Sequence, residues 1–233
     1  MATLRILSAG AAQAVMEQII EAFKRDTGNE VAAEFSAVGA MKARVVSGEA
    51  VDVIVLTRAL IDELVASGHV AAASVHDLGK VGTGVAVRAG TPLPDVSSAE
   101  ALRGNLVAAN RIVIPDPAVA TAGKVVMKML EGLGVGAQVK DRLQFFPNGY
   151  TSMKWLAQST GTMEIGMTQV SEILANSGVA YVGPLPAVYQ MKATYTVAQA
   201  ARSGAPDLAR DFIARLTAPA FRPRLQAAGY ELD

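Results

Sequence analysis

The chain of 233 residues contains no cysteine and only two histidines, His69 and His76. A disulfide framework, a thiolate nucleophile and a cysteine-type metal site are therefore excluded. Two histidines without acids at ligand spacing make no metal cluster, and both read as surface residues in a loop after a helix. An excess of one charge is lacking too, since 21 basic residues balance 21 acidic ones with no run of like sign. That argues against a nucleic-acid groove or a polybasic membrane surface. No apolar stretch approaches the ~20 residues that span a bilayer, so no membrane insertion is expected. There is no Walker sequence and no Gly-x-Ser-x-Gly elbow. Gly82-Thr83-Gly84 opens no helix and lacks the third glycine of a dinucleotide fingerprint. No cofactor is expected. Met1-Ala2-Thr3 leads straight into Leu4–Leu7, without the basic, apolar and small-residue segments of a secretory signal. The expected location is the cytoplasm, or the periplasm if an export signal has been cut away.

About half of the residues are apolar (51%), enough to bury a full core. Short apolar runs alternate with amphipathic stretches, the signature of βαβ units. Leu4–Leu7 reads as a strand, Ala11–Arg25 as a helix closed by Gly28, Val31–Phe35 as a strand, Met41–Ser47 as a helix and Val51–Leu56 as a strand. The continuous Val/Ile run of this third strand suits a sheet covered on both faces. A short helix, Leu60–Ala66, follows. Lys80–Arg88 reads as one glycine-containing strand before the Pro-rich Ala89–Val96. A second run then begins, in which strands at Ile112–Ile114, Gln144–Phe146, Glu164–Met167 and Val179–Val182 alternate with helices. The strand Thr194–Ala198 and two amphipathic helices, Pro206–Leu216 and Ala220–Ala228, finish the chain against the first lobe. The expected division is 1–84 plus 190–233 as one lobe and 85–189 as an inserted second, with crossovers near 82–90 and 184–194.

In open α/β sheets, ligands bind beyond the carboxyl ends of the strands. There the first half of the chain offers Ser8, Gly10 and Ala11; Gly39, Ala40, Met41 and Lys42; and Thr57 with Arg58. The second half offers Thr121, Ala122 and Gly123; Asn148 and Gly149; and Thr168 with Gln169. These segments are small, polar and poor in acids. Helix N-termini of this kind present unpaired N–H donors and the positive end of the macrodipole to an anion. Small residues after strands also serve as tight turns and caps, and each segment alone is open to that account.

In their order, these segments resemble the molybdate-type substrate-binding proteins of ABC importers, part of the type II periplasmic binding protein fold. The resemblance rests on Leu7-Ser8-Ala9-Gly10-Ala11-Ala12 before a helix, Phe35-Ser36, Ser47-Gly48, the strand Ala50–Leu56, Pro115-Asp116-Pro117, Ala122-Gly123 and Glu164-Ile165-Gly166-Met167. It implies an α/β, two-lobed protein, each lobe a mixed and mostly parallel sheet flanked by helices. It also implies a small anionic ligand and, if the protein is exported, an ABC permease as partner. In that family the oxyanion is held by serines after the first two strands, backbone amides of the second lobe and a tyrosine. Ser8 matches the first serine. Ala37-Val38-Gly39-Ala40 replaces the second serine-rich turn, and Gln169 stands in the tyrosine's place. These departures disfavour molybdate and favour an organic carboxylate.

Two functions remain open. One is a binding protein that closes its two lobes on a carboxylate; the other is an isomerase or lyase of a di- or tricarboxylate, by analogy with aconitate isomerase, which resembles the same fold. In the enzyme reading Lys42 and Arg58 are the candidate acid–base or substrate-orienting residues, with surface lysine and surface ion pair as the competing accounts.

Overall fold

The computed structural model describes residues 2–232. The chain divides into two compact units, one formed by the segments up to Val81 and from Ala193 onward, the other by Gly82–Lys192. These boundaries lie three residues from the expected ones at each crossover.

The first unit contains β1 (Thr3–Ala9), α1 (Gln13–Thr27), β2 (Glu30–Ser36), α2 (Val38–Val46), β3 (Val53–Thr57), α3 (Arg58–Ala66) and β4 (His76–Val81). The chain then forms the second unit with β5 (Thr83–Arg88), α4 (Ala99–Ala108), β6 (Arg111–Pro115), α5 (Thr121–Gly132), α6 (Gly136–Val139), β7 (Leu143–Phe146), α7 (Gly149–Gln158), β8 (Glu164–Gln169), α8 (Val170–Leu174) and β9 (Val179–Pro184). It returns to the first unit as β10 (Ala193–Gln199), α9 (Pro206–Thr217) and α10 (Arg222–Ala227).

Each unit is built on a five-stranded sheet. The first has the order β2-β1-β3-β10-β4 and the second β7-β6-β8-β5-β9. In the first, β1 runs parallel to β2 and β3 while β10 is antiparallel to its neighbours. In the second, β6 runs parallel to β7 and β8, and β5 is antiparallel to β8 and β9. Parallel strands need crossover helices, so every β1–β3 and β6–β8 carboxyl end is followed by a helical turn. All five residues of β3 are buried, as the unbroken apolar run requires. Helices α1 and α9 pack together through Phe23 and Phe212, whose rings meet edge to face at 5.3 Å. Beneath the first sheet, buried Asp52 accepts hydrogen bonds from the Arg5 and Ala205 N–H groups and the Ser203 hydroxyl, joining β1 to the segment after β10.

The second unit has two apolar clusters. The larger joins Leu102, Leu106, Val126, Leu130, Ile112 and Met167; the smaller joins Met153, Leu156, Ile173 and Ala86 beneath α7 and α8. Gly166 lets α7 approach β8, because a Cβ there would stand 2.7 Å from the Leu156 side chain.

Three local expectations change. The single strand Lys80–Arg88 is two, β4 and β5, which join different sheets and are separated by Gly82. His76 begins an edge strand rather than lying in a loop. Helix α2 starts at Val38, three residues before Met41, so Gly39 and Ala40 are helical.

Candidate functional site

The parallel registers bring the expected residues to one edge of each sheet. In the first unit Ala9 pairs with Ser36 and Ser8 with Val55, so the ends of β1, β2 and β3 lie together. In the second, Val113 pairs with both Gln144 and Gly166, which aligns the ends of β6, β7 and β8.

At these ends the helices, α7 excepted, start without a capping side chain. The 3-10 turn Gly10–Ala12 is capped by Ala9, α2 by Ala37 and α5 by Ala120, and none of the three caps can offer a side-chain acceptor. Thr57 could do so for α3 but makes no side-chain capping bond. The first N–H groups of a helix have no intrahelical acceptor. By contrast α4, which follows no parallel strand, is capped by Ser98 through the Ala101 N–H at 3.1 Å. Ser8 is fully buried beneath the first turn and donates its hydroxyl to the Ala9 carbonyl at 3.2 Å. Met41 is also buried, and it serves the core.

Several expected donors prove to be engaged. Lys42 is ion-paired with Glu63. Arg58 donates to Asp62 at 2.8 Å and to Asp77 at 3.2 Å. Both cations were expected to face a ligand from helix starts poor in acids, but α3 and β4 supply acids that the strand-end segments lack. Asn148 accepts from the Thr151 N–H at 2.8 Å and so caps α7 in the ordinary way. Gly123 serves packing, because a Cβ there would run into the Pro115 carbonyl and stand 2.8 Å from the Pro117 nitrogen.

Glu172 is the residue that sequence reasoning missed. Its carboxylate is buried and accepts from the Thr168 hydroxyl at 2.5 Å, the Tyr150 N–H at 3.2 Å and the backbone N–H groups of Gly149 and Gln169. A Cβ on Gly149 would collide with this carboxylate and with the Thr168 hydroxyl. The start of α7 is therefore filled from inside by the protein's own acid. Burial raises the Glu172 carboxyl to about 6, and the four hydrogen bonds work against that rise. The only signal in the sequence is the i, i+4 spacing of Thr168 and Glu172. Thr83 was also passed over: it pairs with Gln169 at the same sheet edge, and its hydroxyl is buried without a partner. The described residues contain no group of three His, Asp or Glu able to hold a metal.

Residues 4–231 match the family model of the bacterial extracellular solute-binding proteins. The chain belongs to this family. The periplasmic molybdate-binding protein of Azotobacter vinelandii superposes with a TM-score of 0.82 at 20% identity, over 99% of both chains. The sulfate-binding protein SubI of Mycobacterium tuberculosis gives a TM-score of 0.76 at 17% identity, over 99% of this chain and 86% of its own. At such identities these likenesses establish the fold, that of the type II periplasmic binding proteins. An aconitate isomerase from Pseudomonas sp. is 27% identical over 220 residues, which are 89% of this chain and 79% of that enzyme. Among the described residues no helix is long and apolar enough to cross a membrane.

Proposed function

We propose that this solute-binding protein takes a small organic carboxylate, held by helix-start N–H groups and hydroxyls rather than by side-chain cations. The observation that carries the reading is the set of alanine caps at Ala9, Ala37 and Ala120, which leaves donors open at the carboxyl ends of parallel strands. Partly buried helix starts favour an anion by up to ~2 kcal/mol each. Ser8, Thr57 and Thr83 add hydroxyls at the same edges. Gly10, Ala11, Gly39, Ala40, Thr121 and Ala122 supply the close backbone approach. Gln169 replaces a phenol with an amide, which suits an extended carboxylate better than a compact tetrahedral oxyanion. Partners would be this anion and, for an exported protein, an ABC permease.

A thermal-shift panel of molybdate, sulfate, phosphate and di- and tricarboxylates tests the ligand class. A carboxylate at 100 times its Kd is expected to add about 2.7 kcal/mol of stability. Stabilisation by molybdate or sulfate alone would contradict the reading.

The likeness to an aconitate isomerase supports a second reading, an isomerase of the same class of carboxylate. Lys42 and Arg58 are weak candidates for its chemistry, because acids already hold both. Incubation with cis- or trans-aconitate, followed by NMR of the isomer ratio, separates the two. A constant ratio supports pure binding, and turnover supports the enzyme.

A further inference from the structure

The second unit contains a cavity of about 260 Å³ lined by Arg88, Pro92, Leu93, Asn105, Met163 and Glu164, among others. It lies at the edge of the sheet opposite the strand ends discussed above. Arg88 ends β5, whose first residue Thr83 pairs with Gln169, and Glu164 begins the β8 strand that Gln169 ends.

Two of the residues that line it each hold a buried polar atom without a partner. Glu164 has only 7% of its side chain exposed, and its Oε2 is buried without a hydrogen bond. The Nε of Arg88 is likewise buried and unpaired. Leaving one such group unsatisfied costs about 1–3 kcal/mol, more for a charged one. The other carboxylate oxygen, Oε1, stands 3.7 Å from Arg111, whose guanidinium lies 5.1 Å over the Trp155 ring. Arg111 thus offsets the charge of Glu164, and Arg88 is the cationic side chain among the lining residues. The carboxylate rests against Gly161, where a Cβ would stand 2.9 Å from Oε2. Around these atoms the surface is apolar: Leu93 and Met163 are 60% and 59% exposed, far more than such side chains favour without cover. The turn that presents Met163 holds it at φ 53, the left-handed region that a side chain seldom adopts.

We propose that this cavity is a second binding site, for a small carboxylate that carries a neighbouring hydroxyl or amino donor on a branched aliphatic body. The ligand carboxylate would meet the Arg88 guanidinium and the donor would meet the Glu164 carboxylate, each side chain turning its unpartnered atom toward the cavity, and the aliphatic body would cover Leu93, Pro92 and Met163. This assignment is independent of the anion reading at the other edge.

Four probes dissect it: leucine, 2-hydroxy-4-methylpentanoate, 4-methylpentanoate, which lacks the donor, and 3-methylbutylamine, which lacks the carboxylate. Backbone amide shifts of Gly161 and Ile165 are followed by NMR during titration of the whole protein. Saturable shifts are expected from either or both of the first two, amine and hydroxyl being told apart by their relative affinity, with at least tenfold weaker binding of the last two. Arg88→Met and Leu93→Trp are each expected to weaken binding at least tenfold. Leu93 lies at the exposed rim, so Leu93→Trp decides the matter if Arg88→Met fails to fold. No saturable shift from any probe, equal affinity for all four, or unchanged binding in Leu93→Trp would overturn the proposal.

Discussion

The starts of α5 and α7 lie in one sheet layer of the second unit, follow neighbouring parallel strands and have similar small-residue sequences, Ala120-Thr121-Ala122-Gly123 and Asn148-Gly149-Tyr150-Thr151. Their electrostatics are opposite. Ala120 leaves the α5 donors open, whereas α7 is capped by Asn148 and penetrated by the Glu172 carboxylate. Small residues after a strand therefore carry two meanings: they clear space for a ligand, or they clear space for the protein's own acid.

The largest effect should come from closing that internal space. Gly149→Ala puts a methyl group into the Glu172 and Thr168 contact, and urea unfolding is expected to show a loss of about 3 kcal/mol. Gly123→Ala, which crowds the Pro115 carbonyl on the open helix, should cost somewhat less, roughly 2 kcal/mol.

Next is the acid itself. Burial raises the folded carboxyl of Glu172 to about 6 from its ordinary 4.5, so between these values the folded state binds the proton more tightly than the unfolded one. Stability from this group is then present at low pH and falls as pH rises from about 4.5 to 6, by roughly 2 kcal/mol in all. Glu172→Gln should flatten that part of the stability profile measured by denaturant titration at several pH values. An unchanged slope would mean that the acid is not held in the buried network.

A smaller pair exchanges the two helix starts. Ala120→Asp gives α5 a cap and should stabilise the protein by about 1 kcal/mol, while Asn148→Ala removes one and should cost about 1 kcal/mol. Smallest of all are Lys42→Ala and Arg58→Ala. Their ion pairs are half exposed, and each should change stability by less than about 1 kcal/mol, as read by thermal melting.

The fold was legible because the information lies in local periodicity. The apolar run Val51–Leu56 suits a strand buried on both faces, and the strand observed is Val53–Thr57, all buried; the helix that Gly28 closes follows from Val15, Ile19 and Phe23 on one face. The break at Gly82 was not legible, since nine residues with two glycines fit one strand as well as two, and only sheet membership separates them. The site was legible as a set of strand ends but not as chemistry. Lys42 and Arg58 show their charge in the sequence and hide their partners, because Glu63 and Asp77 are 21 and 19 residues away. Glu172 looks like a solvated helix residue until α7 closes over it. Long-range partners, Glu63 for Lys42, Asp77 for Arg58 and the Tyr150 N–H for Glu172, overrode the local reading, although Asp62 and Thr168 lie only four residues from Arg58 and Glu172.

Calorimetric titration of the wild-type protein and Ala120→Asp with the carboxylate that stabilises it most tests the central claim directly. If open N–H donors at α5 hold the anion, the new aspartate occupies them, and affinity should fall at least tenfold while the unliganded protein melts no lower than wild type. Equal affinity in the two proteins would contradict the account.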